Sequence, residues 1–183
     1  MRRMFAVVCL AMGSVLSAQA QGGAKVEPAK AVDTLLHIFE DDFVPAAKAM
    51  PADKYDFAPS ATAMPGAKFD GVRSFAGQVT HVASANYYFF GTASGLKPDV
   101  DVEAIGKLKS KEEIVAALEK SFVFAHKAVA LLTTQNAFEP VEIDGHQTRV
   151  TAESFAVAHG FDHYGQLVVY LRMNGIVPPA SQK

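Results

Sequence analysis

The sequence has almost no cysteine and no concentration of basic residues. Its single cysteine, Cys9, lies in an apolar stretch near the N-terminus. If that stretch is removed, the remaining chain has no disulfide, no thiol nucleophile and no cysteine metal ligand. A soft-metal site would then consist of histidine and carboxylate side chains. The formal net charge is −2 and no cluster of lysine or arginine stands out, so nucleic-acid binding has no electrostatic support.

Other absences limit the fold. A chain of 183 residues is too short for two domains to be expected. It contains no internal repeat, no low-complexity tract and no convincing series of strands. Hydrophobic residues make up 50% and charged residues 20% of the chain, as in an ordinary globular protein. We therefore expect one domain with a proper hydrophobic core.

The N-terminus is typical of a secretory signal peptide. Arg2 and Arg3 form a basic start, and an apolar run over residues 4–16 follows. The segment Ser17-Ala18-Gln19-Ala20 then places small residues at the two positions that a signal peptidase requires. The apolar run falls short of the ~20 residues that span a bilayer, which argues against a membrane anchor.

Three segments follow from this interpretation. We expect a signal peptide over residues 1–20, a flexible leader over residues 21–27 and a single domain over residues 28–183. Cys9 lies inside the apolar run rather than after it, which argues against lipidation. The domain is predicted to be exported, periplasmic or secreted, with no stable membrane anchor after cleavage.

Apolar residues recur at three- and four-residue steps in four stretches, which is the period of an amphipathic helix. The stretches run from about Pro28 to Met50, Gly71 to Phe90, Ser110 to Gln135 and Thr151 to Met173. Asp144-Gly145 is a turn signal and predicts a small hairpin before the last helix. The predicted fold class is all-α, an up-down four-helix bundle with long inter-helix loops.

Several residues predict where these helices begin or end. Pro28 suits the first position of a helix, whereas Pro45 inside the same stretch predicts a kink or an early end. Asp70 is a plausible N-cap of the second helix. Ser110 followed three residues later by Glu113 predicts a capping box at the start of the third helix.

Two histidines stand one turn apart on the fourth predicted helix. His159 and His163 share one face and can reach a single ion. Taken alone, such a pair is more often a pair of surface or boundary residues. The residue after His159 is not glutamate, so this is not a zincin motif and lacks that motif's general base. Asp162 is either an acceptor that fixes an imidazole tautomer or a solvated residue.

A third ligand must come from a facing helix, and His81 lies in the middle of the second one among apolar neighbours. A lone histidine there is more often a satisfied core residue, but it would complete a three-histidine site with open positions. His126 on the third helix could approach the same cavity, although a polar core or boundary role is favoured. His37 is predicted on a solvated acidic face and His146 in a turn.

Three segments resemble those of the DinB-like superfamily. Residues 159–179 read HGFDHYGQLVVYLRMNGIVPP and resemble its C-terminal signature. Residues 75–83, FAGQVTHVA, resemble its second-helix motif, and residues 50–59 resemble the loop after its first helix. The resemblance implies an up-down four-helix bundle with His81, His159 and His163 as metal ligands.

The resemblance further implies one divalent transition metal per chain. Zinc or nickel is the first expectation, with manganese or iron also compatible with imidazole ligands. Relatives include thiol-dependent transferases and maleylpyruvate isomerase. An exported location weakens the thiol-transferase interpretation, because low-molecular-weight thiols are chiefly intracellular. A homodimer is also expected, from the resemblance and from the many apolar residues on the first and fourth helices.

Different functions stay open. The chain is either a metal-dependent enzyme, of the hydrolase or thiol-dependent transferase class, or a non-catalytic metal- or ligand-binding protein of the envelope. A third possibility is a bundle that uses its surface for association. Tyr88, Gln166 and Tyr170 are candidates to line the cavity, but no general base stands out. The small-molecule substrate and the catalytic residues are not identified by the sequence.

Overall fold

The computed structural model describes residues 25–60, 65–143 and 146–182, apart from the side chain of His146. The described part is mostly helical, which confirms the helical class. Its α-helices are α1 (Pro28–Ala49), α2 (Phe75–Ser94), α3 (Val102–Ile105), α4 (Lys111–Val129) and α5 (Arg149–Met173). The expected signal peptide lies outside these residues. Within them, no helix is both long and apolar enough to cross a membrane.

Helix α1 begins at Pro28, as predicted, but it does not end early at Pro45 and continues to Ala49. A proline inside a helix removes one backbone hydrogen bond. Buried side chains stand on both sides of it, including Phe43 and Ala47, both 0% exposed. Their burial in the core outweighs the missing hydrogen bond and keeps the last turn helical.

Helix α2 begins later than predicted, because Ser74 rather than Asp70 caps it. The Ser74 Oγ accepts a hydrogen bond from the backbone N–H of Gly77 at 3.2 Å. At its other end the helix runs past Phe90. It stops at Gly95, whose φ of 79° is in the left-handed region that favours glycine.

The capping box at Ser110 is confirmed, and α4 ends at Val129 rather than at the predicted Gln135. Helix α5 begins two residues earlier than predicted, because Thr148 forms a capping box of its own. Helix α3 was not predicted. Its N-cap is Asp101, whose carboxylate accepts two backbone N–H groups and stabilises a single turn in the predicted loop.

A small hairpin precedes α5, as predicted. Strand β1 (Pro140–Glu142) pairs antiparallel with β2 (His146–Thr148), and Val141 lies opposite Gln147. The turn residues Asp144 and Gly145 lie outside the described part of the chain. His146, predicted in a turn, is the first residue of β2 instead.

The four long helices pack around an aromatic core. Helix α1 packs against α4 and α5, and α2 packs against the same two helices. Phe39 on α1 is fully buried and its ring centroid lies 5.0 Å from that of Phe122 on α4 and 5.5 Å from that of Phe161 on α5. This cluster fixes α1 against α4 and α5 and leaves polar side chains to meet at the α2–α5 contact.

One carboxyl group is buried in this core. Glu153 on α5 is 1% exposed, and its Oε2 has no hydrogen-bond partner among the described residues. Burial raises its pKa from about 4.5 to about 7, although the charge of Arg149 acts in the opposite direction. A carboxyl group whose pKa is raised by folding is protonated in the folded protein at pH values where it is ionised in the unfolded chain.

We expect the protein to lose stability as pH rises from about 4.5 to about 7, because ionising Glu153 in the core is costly. Each unit of pKa difference corresponds to ~1.4 kcal/mol. Urea unfolding at pH 5 and pH 8 measures the effect, which Glu153→Gln should largely abolish. Glu142→Gln, at an exposed carboxylate, is the control and should leave the pH dependence unchanged. An unaltered pH dependence in Glu153→Gln would contradict the assignment.

Candidate metal centre

The structure brings the three predicted histidines together. His159 and His163 stand one turn apart on α5, and His81 faces them from α2. The Nε2 atom of His159 lies 3.2 Å from Nε2 of His81 and 3.2 Å from Nε2 of His163. Because all three nitrogen atoms lie within 4.8 Å of one another, one ion can contact all of them.

The electrostatic environment keeps the three rings neutral. Burial, with the charges of Arg73 and His159, lowers the pKa of His81 to about 4. Burial lowers the pKa of His163 to about 4 as well, and the repulsion that a protonated His163 would feel from protonated His159 or His81 adds to this effect. Burial also lowers the pKa of His159, against the opposing charge of Asp162. Neutral imidazoles at neutral pH keep their lone pairs available for a metal ion.

A chain of hydrogen bonds fixes the orientation of His163. Its Nδ1–H donates to Oε1 of Gln78 at 2.6 Å, and Nε2 of Gln78 donates to Oε1 of Gln166 at 2.6 Å. Nε2 of Gln166 in turn donates to Oδ2 of Asp162 at 3.3 Å. With the proton held on Nδ1, the Nε2 lone pair of His163 is free to bind a metal ion.

Gln78 is the functional residue that the sequence analysis missed. It is 1% exposed, although glutamine is usually found at the surface. The available signal was a glutamine one turn before His81, on the apolar face of the second predicted helix. Asp162, one of whose predicted roles was to fix an imidazole, is hydrogen-bonded to Gln166 rather than directly to a ring.

The other predicted cavity residues have separate roles. The hydroxyl of Tyr170 donates to the backbone carbonyl of Arg73 at 3.1 Å, and Tyr170 itself is buried. Tyr88 is 50% exposed and its ring packs against Phe89. Of the three predicted residues, Gln166 takes part in the hydrogen bonds that orient His163.

His126 does not approach the three histidines. It lies between α1 and α4, where its ring nitrogens contact Asp33 and Glu40. The favoured boundary role is therefore the one that the structure shows. His37 is exposed, as predicted, but it also contacts Asp33.

Aromatic side chains form a wall beside His159. The ring centroid of Phe89 lies 5.4 Å and that of Phe155 6.2 Å from the imidazole centroid. Phe89 is buried, whereas Phe155 on α5 is 44% exposed. An apolar group entering from solvent can therefore pack next to the histidines.

The donor set fits a divalent transition metal. Three neutral imidazoles leave coordination positions open, and imidazole suits zinc, nickel, copper and iron. The Gln78 contact supplies the outer hydrogen bond that metal-ligating histidines almost always have. These residues would hold the ion, and the aromatic wall would border its open side.

Gln78→Leu should weaken zinc binding by roughly 10- to 100-fold, because His163 loses the acceptor that orients it. Calorimetric titration of the metal-free protein with zinc measures the change. The matched control is Asn86→Leu. Asn86 is another buried polar residue of α2, but it donates to Ser121 on α4, so its loss should leave the affinity unchanged. Wild-type affinity in Gln78→Leu would show that the amide does not orient a ligand.

Comparison with known protein families identifies a match over most of the chain. The family model for the DinB superfamily matches residues 35–167, which is more than half of the chain and includes all three histidines. No curated protein matches the chain.

Proposed function

The chain belongs to the DinB superfamily, and from that membership and the site geometry we propose that it is an exported metal-dependent enzyme. It binds one divalent transition metal through His81, His159 and His163, and zinc or nickel is the metal that we expect first. The reaction class is hydrolysis of a small molecule, with thiol-dependent transfer as the second class. The observation that carries the proposal is the convergence of three neutral imidazoles, each with a ligand nitrogen within 4.8 Å of the other two.

A divalent ion held only by neutral imidazoles keeps its positive charge and supplies a Lewis acid that lowers the pKa of a water molecule. The protein's own residues supply orientation and substrate binding. The hydrogen bonds through Gln78 hold His163 in one tautomer. Phe89 and Phe155 border the site with apolar surface that can pack against a substrate and limit access of bulk water.

Arg73 offers a positive charge near the site for a substrate with a negative group. Its charge lowers the pKa of His81, His159 and His163, whereas the charge of Asp162 raises the pKa of His159 and His163. A carboxylate or similar anion on the substrate could pair with that guanidinium while the apolar part rests on the aromatic wall. The substrate class we propose is therefore a small molecule with an apolar part and an anionic group.

Non-catalytic metal or ligand binding is the second candidate, and one observation favours it. The carboxylate nearest in sequence to the histidine pair, Asp162, already accepts a hydrogen bond from Gln166. A general base is therefore not evident. In this case the protein would bind its metal or ligand in the envelope without turnover.

Turnover assays separate the two candidates. Metal-free, zinc-loaded and nickel-loaded protein should be tested on chromogenic carboxylic esters, amides and phosphoesters, with and without a low-molecular-weight thiol. We expect hydrolysis that requires the metal and is lost in His163→Ala, whereas Asp41→Asn, at an exposed residue of α1, should retain it. Absence of turnover by fully loaded protein on every substrate would favour the binding role.

We also propose that the four long helices form an up-down bundle. Each of α1, α2, α4 and α5 packs against two of the others, as in a four-sided bundle, and the consecutive helices α1 and α2 lie at diagonal corners rather than side by side. Export and homodimer formation stay predictions. Exposed apolar residues on α1 and α5 that could form a dimer contact are Leu35, Ile38, Phe155 and Val169.

A further inference from the structure

A second cluster of possible metal ligands lies between α1 and α4, apart from the three histidines. Asp33 and His37 stand one turn apart on α1, and His126 faces them from α4. One ligand atom from each of these side chains lies within 4.8 Å of the other two. The sequence separation between His126 and Asp33 is large, so only the packing of α1 against α4 brings them together.

The distances within this cluster leave little room for reorientation. Nδ1 of His126 lies 2.6 Å from Oδ1 of Asp33, and Nε2 of His37 lies 3.3 Å from Oδ2 of the same carboxylate. The centroids of the two imidazole rings are 4.3 Å apart. Asp33 therefore stands between two imidazoles, each of which directs a ring nitrogen at it.

Glu40 orients the less exposed imidazole of the cluster, that of His126. Its Oε2 lies 2.9 Å from Nε2 of His126, and the side chains of both residues are mostly buried. When Nε2–H of His126 donates to this carboxylate, the lone pair of Nδ1 is directed toward Asp33 and His37. With an ion on Nδ1, the arrangement would match the carboxylate–histidine–metal pattern of metalloproteins, in which an outer carboxylate fixes the tautomer of a ligand.

We propose that Asp33, His37 and His126 form a second site for a divalent transition metal, with Glu40 as the residue that positions His126. Two imidazoles and one carboxylate are a donor set that zinc and ferrous iron both accept. A carboxylate in the ligand set also offsets part of the ion's charge, which the three-histidine site does not do. The two sites therefore differ in chemistry.

Access to solvent sets the expected strength of this site. The side chain of His37 is 58% exposed, and the cluster lines an open groove of about 560 Å³ that Ala29, Lys30, Val129 and Ala130 also border. An ion can enter and leave through this groove, and Lys30 adds a repelling charge. We therefore expect weaker binding than at the three-histidine site, so that the second ion is taken up only after the first.

The competing explanation is that a proton occupies the place of the ion. A protonated His126 would bridge Asp33 and Glu40 as a pair of ion-paired hydrogen bonds. Burial lowers the pKa of His126, but hydrogen bonds to both carboxylates and their charges outweigh it and raise the pKa overall. In that case the cluster only links α1 to α4 and binds no metal. A metal titration distinguishes the ion-pair explanation from the metal site.

The test uses untagged protein stripped with a chelator and titrated with zinc in a calorimeter. Wild type should take up two ions per chain in two phases. His37→Ala should lose only the weaker phase and His163→Ala only the tighter one. The control Asp41→Asn removes an exposed carboxylate from the same helix and should retain both phases. Cobalt bound at the two sites should give two different absorption spectra. His37→Ala should retain only that of the three-histidine site, and His163→Ala only that of the second site.

His37 is the decisive position because its exposed side chain can be removed without opening the core, which circular dichroism of the variant would verify. His126→Ala could fail to fold, since it leaves two carboxylates without their partner. The proposal is overturned if wild type saturates at one ion that His163→Ala abolishes. It is also overturned if folded His37→Ala still binds two ions.

Discussion

Replacing His163 with alanine is expected to reduce the zinc held at the three-histidine site from about one ion per chain to nearly none. Any zinc that remains belongs to the weaker site between α1 and α4, which exchanges through its open groove. His163 is the most buried of the three histidines, at 5% exposure, and its Nε2 lies 3.2 Å from that of His159. Removing it leaves two imidazoles on different helices and takes away the ring that Gln78 orients. Two remaining imidazoles are too few to hold the ion against coordination by water.

Elemental analysis after gel filtration measures this loss, and His81→Ala and His159→Ala should behave alike. His126→Ala, once circular dichroism has verified that it folds, is the control, because its imidazole lies between α1 and α4 and should not affect the first ion. If His81→Ala keeps its metal and His126→Ala loses it, the third ligand is assigned wrongly.

Protons compete with zinc for the lone pairs of the three imidazoles, so zinc should dissociate as pH falls. Burial lowers the pKa of His81 and His163 to about 4, which delays that loss to below the usual histidine range.

Gly160→Ala is expected to lower the free energy of unfolding by about 3 kcal/mol or more, although alanine favours a helix. A Cβ at this position would overlap Cζ, Cε1 and Cε2 of Phe39, lying only 2.6 Å from the last. Phe39 is fully buried and packs edge-on against Phe43 and Phe122, so its ring has no free space to move into. Helix α5 would have to move away from α1.

Gly165→Ala provides the matched control on the same helix. An added Cβ there meets nothing within 4 Å, so the variant should gain about 1 kcal/mol from helix propensity. Urea unfolding of both variants decides the question. The same substitution, glycine to alanine, is expected to lower the free energy of unfolding at position 160 and to raise it at position 165. Because Gly160 adjoins His159, its variant should also bind zinc more weakly. Equal stability of the two variants would show that Phe39 yields without cost.

Much of this protein could be predicted from the sequence, because the deciding interactions are local. The three- and four-residue spacing of apolar residues predicts four long helices, and the Ser110 capping box predicts where α4 begins. The pair His159 and His163 needs only helical geometry to share a face. The resemblance over residues 75–83 adds His81 to that pair, and the structure brings all three together.

Tertiary packing decided the rest, because it joins residues that are far apart in the chain. Gln78 contacts His163 across α2 and α5, and burial of both side chains makes that single hydrogen bond significant. The sequence places this glutamine on the apolar face one turn before His81, but it does not give the partner that the glutamine contacts on α5. His126 and His37 are likewise ordinary surface or boundary residues in the sequence. The packing of α4 against α1 places both beside Asp33 and determines that the chain has a second cluster of possible metal ligands.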